Sequence, residues 1–415
     1  MASPSRNRRT EKANLDEETL WRMRGDNDNE RGIGDALLVG NDRCLATNAS
    51  RSRRGGGDAF VVGAVYHLAE DLTDITLMDA SSGEVVRRMD GLSRPGLNVC
   101  AGGDMICVVS HSDGLLRLVD VATGDTTDLS MGCTTAEGNV NVSSGYTLGK
   151  VPATGEHKLL HVYASSHGDC SQSSEVLTIT GDGDVTGRQW RATQSPPMRI
   201  ERGISRSRAT VDGVVYFLSP ATTSTPGHRI ECDTIAAFDL ATEQWRPTLL
   251  EGPLPADQRH RGQRPHLSLA ALDGRLVTVH HDYPAKTINL WSLTSNTTAT
   301  TTWTKLLSLP IKNVLRGWEV SHPAMKPSAK QQRRRGGRRK MPAVRRWPTE
   351  AAVAARYREN VAQPLAMLGD GRMALCARGC EGAVRLHDPS TGACEEVAQV
   401  EKGGCVVGFY TGKLL

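Results

Sequence analysis

The stretch "TIAAFDLATEQWRPTLLEGPLP", Thr234 to Pro255, decides how the chain is read. "TIAAF" is apolar at nearly every position, so a strand here needs cover on both faces. Asp239 stands where that strand gives way to a turn, and there a carboxylate accepts hydrogen bonds from backbone N–H groups further along. Trp245 opens the next run, and a proline-rich exit follows. Looser copies occur at "DITLMDASSGEVVRRM" (Asp74 to Met89), "LLRLVDVATGDTTDL" (Leu115 to Leu129) and "SEVLTITGDGDVTGRQW" (Ser174 to Trp190). Two more lie at "TINLWSLTSNTTATTTW" (Thr287 to Trp303) and "AVRLHDPSTGACEEV" (Ala383 to Val397).

Most copies are preceded by a second apolar run entered through an acidic or glycine turn, as in "DGVVYFLS" (Asp212 to Ser219), "DGRLVTVH" (Asp273 to His280) and "DGRMALCA" (Asp370 to Ala377). The Asp-Gly steps are hairpin signals, because glycine accepts the positive φ such turns require. A unit of strands and tight turns repeating every roughly 40–50 residues is the signature of kelch and WD40 propellers. The expected fold is therefore an all-β, kelch/WD40-like β-propeller of about six to seven blades. Asp79, Asp120, Asp239 and Asp388 are read as turn-makers, since a residue recurring in every unit is a poor catalytic candidate. Trp190, Trp245 and Trp303 follow the turns, where a large ring fills the wedge between blades. The hairpin "GDALLVGNDRCLAT" (Gly34 to Thr47) or the C-terminal "GGCVVGFYTG" is expected to complete or close the ring.

Composition agrees: 42 Gly and 19 Pro among 415 residues favour many turns, and only 4% aromatics leave the core to Val, Leu, Ile and Ala. The formal charge is +4, but Lys326 to Arg346 holds ten basic residues and no acidic one; taking those ten from +4 leaves −6 for the rest. Four segments are expected: a mostly disordered charged arm over 1–57, propeller blades over 58–320, a basic insert over 321–360 on a loop at one rim, and the final blade with ring closure over 361–415. Helical periodicity is confined to "TEAAVAARYRENV" (Thr349 to Val361). No apolar signal segment follows Met1, and apolar runs such as "AFVVGAV" are too short to span a bilayer. The expectation is an intracellular protein, in cytoplasm or nucleus, with mostly free and buried thiols and no membrane partner.

The stretch from about Gly145 to Pro310 resembles the F-box-associated domain of plant F-box proteins. The matching residues, in order, are "GYTLGKVPATGEHKLLHVY", "ATVDGVVYFLS", "IAAFDLATEQW", "LSLAALDGRLVTV" and "INLWSLTSNTTATTTWTKLLSLP", then more faintly "PLAMLGDGRMALCARG". The resemblance implies a kelch-type propeller that binds target proteins for a Skp–cullin–F-box ubiquitin ligase. The family's N-terminal helical F-box has no counterpart in "NLDEETLWRMRGDNDNERG". A member that has lost its F-box, an incomplete chain, and a propeller used for another purpose all stay open. A Skp-type adaptor and cullin are expected as partners only if an F-box is supplied or replaced.

Catalytic signatures such as G-x-S-x-G, H-E-x-x-H and the P-loop are absent from the sequence. "GDGDVTG" (Gly181 to Gly187) lacks the later acidic ligands of a calcium loop and reads as a tight turn. "VHHD" places His280, His281 and Asp282 together, but neighbours on a strand point to opposite faces, so the reading is a solvated loop. Cys376, Cys380 and His387 lack a fourth ligand and read as buried or half-buried side chains of the sixth unit. No metal, cofactor or catalytic residue is expected. The basic patch Arg333, Arg334, Arg335, Arg338, Arg339 and Lys340 reads as a solvated loop or a nuclear-import signal. Nucleic-acid binding through it is not favoured, because no aromatics are interleaved for base stacking. Partner-binding candidates lie on the loops "SPATTSTPGHRIEC" (Ser219 to Cys232) and "PADQRHRGQRPH" (Pro255 to His266), where Arg259, His260, Arg261 and Arg264 would meet an acidic partner. The expected function is a non-catalytic protein-interaction module. The alternatives are a nuclear or RNA-associated scaffold acting through the basic insert, and a propeller enzyme with its site in the central opening.

Overall fold

The computed structural model describes residues 59–315 and 361–411, apart from intervening stretches of which the longest are 131–144, 165–171, 180–188 and 256–265. The strands form six four-stranded antiparallel sheets and one small hairpin. The first blade contains β1 (Phe60–His67), β2 (Leu72–Asp79) and β3 (Val85–Ser93). The second is β4 (Leu97–Gly102), β5 (Met105–Ser110), β6 (Leu115–Val119) and β7 (Thr126–Ser130), and the third is β8 (Gly145–Lys150), β9 (His157–Ala164), β10 (Gln172–Ile179) and β11 (Arg191–Thr193). The fourth begins with β12 (Arg208–Val211) and β13 (Val214–Leu218). It is interrupted by the hairpin β14 (Ser224–Thr225) and β15 (His228–Arg229), and resumes with β16 (Ile235–Asp239) and β17 (Gln244–Trp245). The fifth is β18 (His266–Leu272), β19 (Arg275–Asp282), β20 (Thr287–Asn296) and β21 (Thr301–Pro310), followed by one short helical turn, α1 (Ile311–Val314). The sixth is β22 (Val361–Met367), β23 (Met373–Arg378), β24 (Ala383–His387) and β25 (Cys394–Gln399).

The last strand, β26 (Gly404–Tyr410), pairs antiparallel with β1, Phe60 opposite Tyr410, and supplies the missing inner strand of the first blade. Of the two candidates for ring closure, the C-terminal segment is the one that closes it; residues 34–47 lie outside the described residues, as does the helical candidate up to Val361, where β22 begins. Each inner strand neighbours the inner strands of both adjacent blades, in the cycle β26, β4, β8, β12, β18, β22. The protein is a closed six-bladed propeller.

The apolar run at 235–238 is buried on both faces of its strand. Successive strand residues point to opposite faces. Ala236 and Phe238 of β16 therefore pack with the third blade, beside Leu160, Val162 and Val176. Ile235 and Ala237 pack the other way, toward Leu269 and Leu276 of the fifth blade. The same alternation repeats round the ring, and a cluster of buried apolar side chains fills each seam between blades. The three tryptophans join it. Trp245 is buried between the third and fourth blades and donates Nε1–H to Ser174 Oγ at 3.1 Å. Trp190 and Trp303 are half-buried against the clusters of the second–third and fourth–fifth seams.

Connectivity divides the surface into two faces. Within each blade, the first-to-second and third-to-fourth strand connections lie at one end of the strands, and the second-to-third and blade-to-blade connections lie at the other. The first end, the turn face, carries short turns together with the ends of the 180–190 connection and the point where the N-terminal segment joins β1. The second, the connection face, carries the ends of the long segments, including 219–234, 246–265 and 315–361.

Candidate functional site

On the turn face, four Asp side chains cap their own turns. Asp79 Oδ1 accepts from Ser81 N–H at 3.0 Å, Ser82 N–H at 2.9 Å and both serine hydroxyls. Asp239 Oδ1 accepts from Ala241 and Thr242 N–H at 2.9 and 3.2 Å, and Asp120 Oδ1 from Thr123 N–H at 3.3 Å. Asp388 Oδ1 accepts from Ser390 N–H at 2.8 Å, and the Ser390 and Thr391 bonds hold its carboxyl at about 2. In three of these turns the fifth residue is a left-handed glycine: Gly83, Gly124 and Gly392, with φ of +72°, +85° and +72°. Its N–H donates back to the carbonyl of the turn's Asp.

The fourth blade breaks this pattern, and its sequence shows the departure. "DASSG", "DVATG" and "DPSTG" end in glycine, whereas "DLATE" ends in Glu243, at φ +57°. Glu243 reaches into the third blade. It accepts Lys158 Nζ at 2.8 Å and binds the Arg191 guanidinium, whose Nε lies 3.2 Å from Oε2. Burial alone would raise the Glu243 carboxyl, but the Arg191 and Lys158 hydrogen bonds outweigh it and hold the carboxyl below its ordinary value. A parallel tie joins the second and third blades, where Asp104 accepts Lys150 Nζ at 2.8 Å and His157 Nε2 at 2.6 Å. Farther in, the His161 ring stacks on Tyr146 at 4.1 Å, and its Nδ1 lies 2.8 Å from the buried Glu175 carboxylate. These three side chains occupy directly opposed positions on β8, β9 and β10, a juxtaposition that sequence spacing does not reveal.

On the connection face the chemistry differs. His266, exposed at the start of β18, sits edge-on to Tyr283 with ring centroids 4.7 Å apart. Burial pushes the Tyr283 hydroxyl up to about 12, against the pull of the nearby Arg206. Arg206 and Arg208 precede and open β12 in the adjoining blade. The mouth of the ring at the fourth and fifth blades thus gathers cationic and aromatic side chains. The candidate loop residues Arg259, His260, Arg261 and Arg264 lie outside the described residues, but the segment that carries them runs from Pro255 to His266 and so begins and ends on this face. The patch Arg333, Arg334, Arg335, Arg338, Arg339 and Lys340 and the turn at 181–187 also lie outside them.

The "VHHD" reading requires correction. His280 and His281 are buried strand residues of β19, 7% and 3% exposed, and belong to no solvated loop. Packing between blades, which local polarity does not report, buries them. They do point apart, as strand neighbours must. Burial lowers both imidazoles, His281 to about 3. Cys376 is buried on β23 opposite Val384, while His387 stands opposite Met373 and Cys394; Cys380 lies outside the described residues. Among the described residues no group of three or more His, Cys, Asp or Glu side chains is placed to hold a metal ion, and no helix is long and apolar enough to cross a membrane.

The chain is thus a closed propeller with Asp-capped turns on one face and, on the other, the ends of the connections 219–234, 246–265 and 315–361. Residues 99–326, more than half the chain, match the F-box associated beta propeller domain. The chain belongs to that family, whose domain is a non-catalytic binding propeller typical of F-box proteins. No curated protein matches the chain. Among solved structures, a protein of unknown function from Bacteroides caccae is 11% identical, with a TM-score of 0.43, over 86% of this chain and 98% of that one. The acylaminoacyl peptidase of Pyrococcus horikoshii is 8% identical over 84% of this chain and 45% of its own, with a TM-score of 0.35, and apo AztD from Citrobacter koseri is 12% identical over 57% of each, at 0.29. At these values the likenesses carry no argument about function.

Proposed function

We propose that this propeller holds a target protein on its connection face and, where an F-box module is supplied in the same assembly, presents that target to a Skp–cullin ubiquitin ligase. The observation that carries the reading is family membership over 99–326, together with the three long connections whose ends lie on that face. Tight turns that cap their own backbone offer a partner little, whereas long segments on a rigid ring offer a variable surface. Arg259, His260, Arg261 and Arg264 are proposed to contact an acidic region of the target, and the propeller itself performs no chemistry. Residues 333–340 are proposed to direct the chain to the nucleus.

Affinity purification of the tagged protein from its own tissue, followed by mass spectrometry, tests this. Recovery of adaptor and cullin together with a further protein supports the whole reading. Reproducible partners without them remove the ubiquitin half and leave a free-standing binding propeller. Recovery of RNA that disappears on deletion of 326–346 favours the scaffold reading instead.

A further inference from the structure

The seam between the fifth and sixth blades is tied by polar groups as well as by its apolar cluster. His281 Nε2 of β19 accepts a hydrogen bond from the Ala362 N–H of β22 at 3.0 Å, in a buried setting. Gln363 Nε2 donates to the Leu269 carbonyl at 3.2 Å. From the other side, the buried Arg385 of β24 donates to the Val314 carbonyl at the end of α1 and to Glu396 at 3.0 Å. The points where the chain leaves the ring, beside Val314, and re-enters it, at Ala362, are thus each held by a side chain of the opposite blade.

We propose that this seam is an acid-sensitive joint of the ring, closed only while the His281 imidazole is neutral. The inference goes beyond target binding and does not depend on it. An imidazole nitrogen that accepts a hydrogen bond carries no proton. Protonation would set an N–H donor against the Ala362 N–H donor in a dry site, where an unmade hydrogen bond and an unpaired charge are both costly. The groups facing His281 offer the cation little relief. Arg206 from the preceding blade and His280 on its own strand disfavour a charge there, as does the His266 side chain opposite it on β18, although a hydrogen bond to the His266 backbone favours it. Tyr283 contributes a ring stacked at 6.1 Å, and its hydroxyl stays protonated up to about 12.

Burial keeps the closed form unprotonated down to about 3, whereas an opened seam returns His281 to its ordinary 6.5. Between those values only the open state takes up the proton, so acid favours opening. From pH 7 to pH 5.5 the open population rises about eightfold by this one group.

The test is site-resolved hydrogen exchange on the whole protein, corrected for the intrinsic pH dependence of exchange. The protection of the Ala362 amide is expected to fall about eightfold from pH 7 to pH 5.5. Val215 and Ala236, in the third–fourth seam, should hold their protection. An unchanged Ala362 overturns the proposal, and so does an equal fall at all three sites, which would place the proton on global unfolding. His281→Gln keeps an acceptor without a titrating group and is expected to abolish the selective fall; persistence of the fall in that variant also overturns the proposal. If that variant fails to fold, the comparison of amides in the native protein still decides.

Discussion

Gly83 and Gly392 occupy the same place in the same turn, with the same φ of +72°, and differ only in what lies beyond them. A methyl group built on Gly392 meets nothing within 4 Å. One built on Gly83 falls 1.9 Å from the Val397 carbonyl oxygen and 2.4 Å from its carbon, on the outer strand of the sixth blade. Gly392→Ala therefore isolates the cost of placing an L-residue in the left-handed region, about 1 kcal/mol. Gly83→Ala carries that cost and must also push a turn away from a backbone it touches. A displacement of roughly 1 Å in a packed seam adds about 1–3 kcal/mol, for a total of about 3 kcal/mol. Gly124→Ala should fall near Gly392→Ala, because its one close neighbour, at 3.3 Å, is the movable end of the Arg87 side chain.

Urea denaturation of the three variants beside the parent measures this, with midpoints compared at a common slope. The expected order is Gly83→Ala far below the others, which lie close together. Equal losses at Gly83 and Gly392 would refute the tight approach of the first blade to the sixth. A Gly392→Ala variant as stable as the parent would refute the claim that the turn requires a left-handed residue there. The contact matters because the first–sixth seam is where β26 closes the ring, so loosening it should also raise susceptibility to cleavage near 401–403.

Glu243→Ala should cost about 2 kcal/mol by leaving Lys158 and Arg191 without their shared carboxylate, whereas Glu243→Gly should recover about 1 kcal/mol of that by relieving the positive φ; denaturant midpoints give the order. Because the folded Glu243 carboxyl lies below its ordinary 4.5, its stabilisation is present above that pH and is lost as pH falls through the lower folded value, and Glu243→Gln should flatten this acid limb of a stability–pH curve. Asp79→Ala should cost about 2 kcal/mol, more than the roughly 1 kcal/mol for Asp120→Ala, since Asp79 accepts four hydrogen bonds in a buried site and Asp120 holds Thr123 N–H at 3.3 Å. Charge reversal of Arg259, Arg261 and Arg264 should weaken target recovery in the affinity purification without moving the melting temperature, whereas an equal loss of stability would make those arginines structural.

What the sequence displayed and what it hid follow from range. The Asp turns, the Asp-Gly hairpins and the apolar strands are set by a few neighbouring residues, so "TIAAFDLATEQW" announces its unit. Asp212 and Asp273, each followed by a left-handed glycine, adopt φ of +47° and +49°, as two-residue hairpins require. Ring closure is non-local: nothing in "GGCVVGFYTG" states that its partner is Phe60 to Val65, and its pairing follows from the vacancy beside β1. His281 shows the same limit more sharply. Two histidines and an aspartate in a row look like solvent-facing chain. His281 is buried between blades and receives the Ala362 N–H, which the sequence sets far away across the whole basic segment.

Glu243 is the intermediate case, legible in the sequence because it is the one departure from glycine among the four Asp turns. In a repeat protein the repeated residues maintain the unit, so an exception carries more information than the rule. At Glu243 a backbone strain of about 1 kcal/mol is tolerated in exchange for a carboxylate that joins two blades. The third blade, whose outer strand is only Arg191–Thr193, gains from it a tie that short strand pairing does not provide. That tie lies on the turn face, opposite the face on which target binding is proposed.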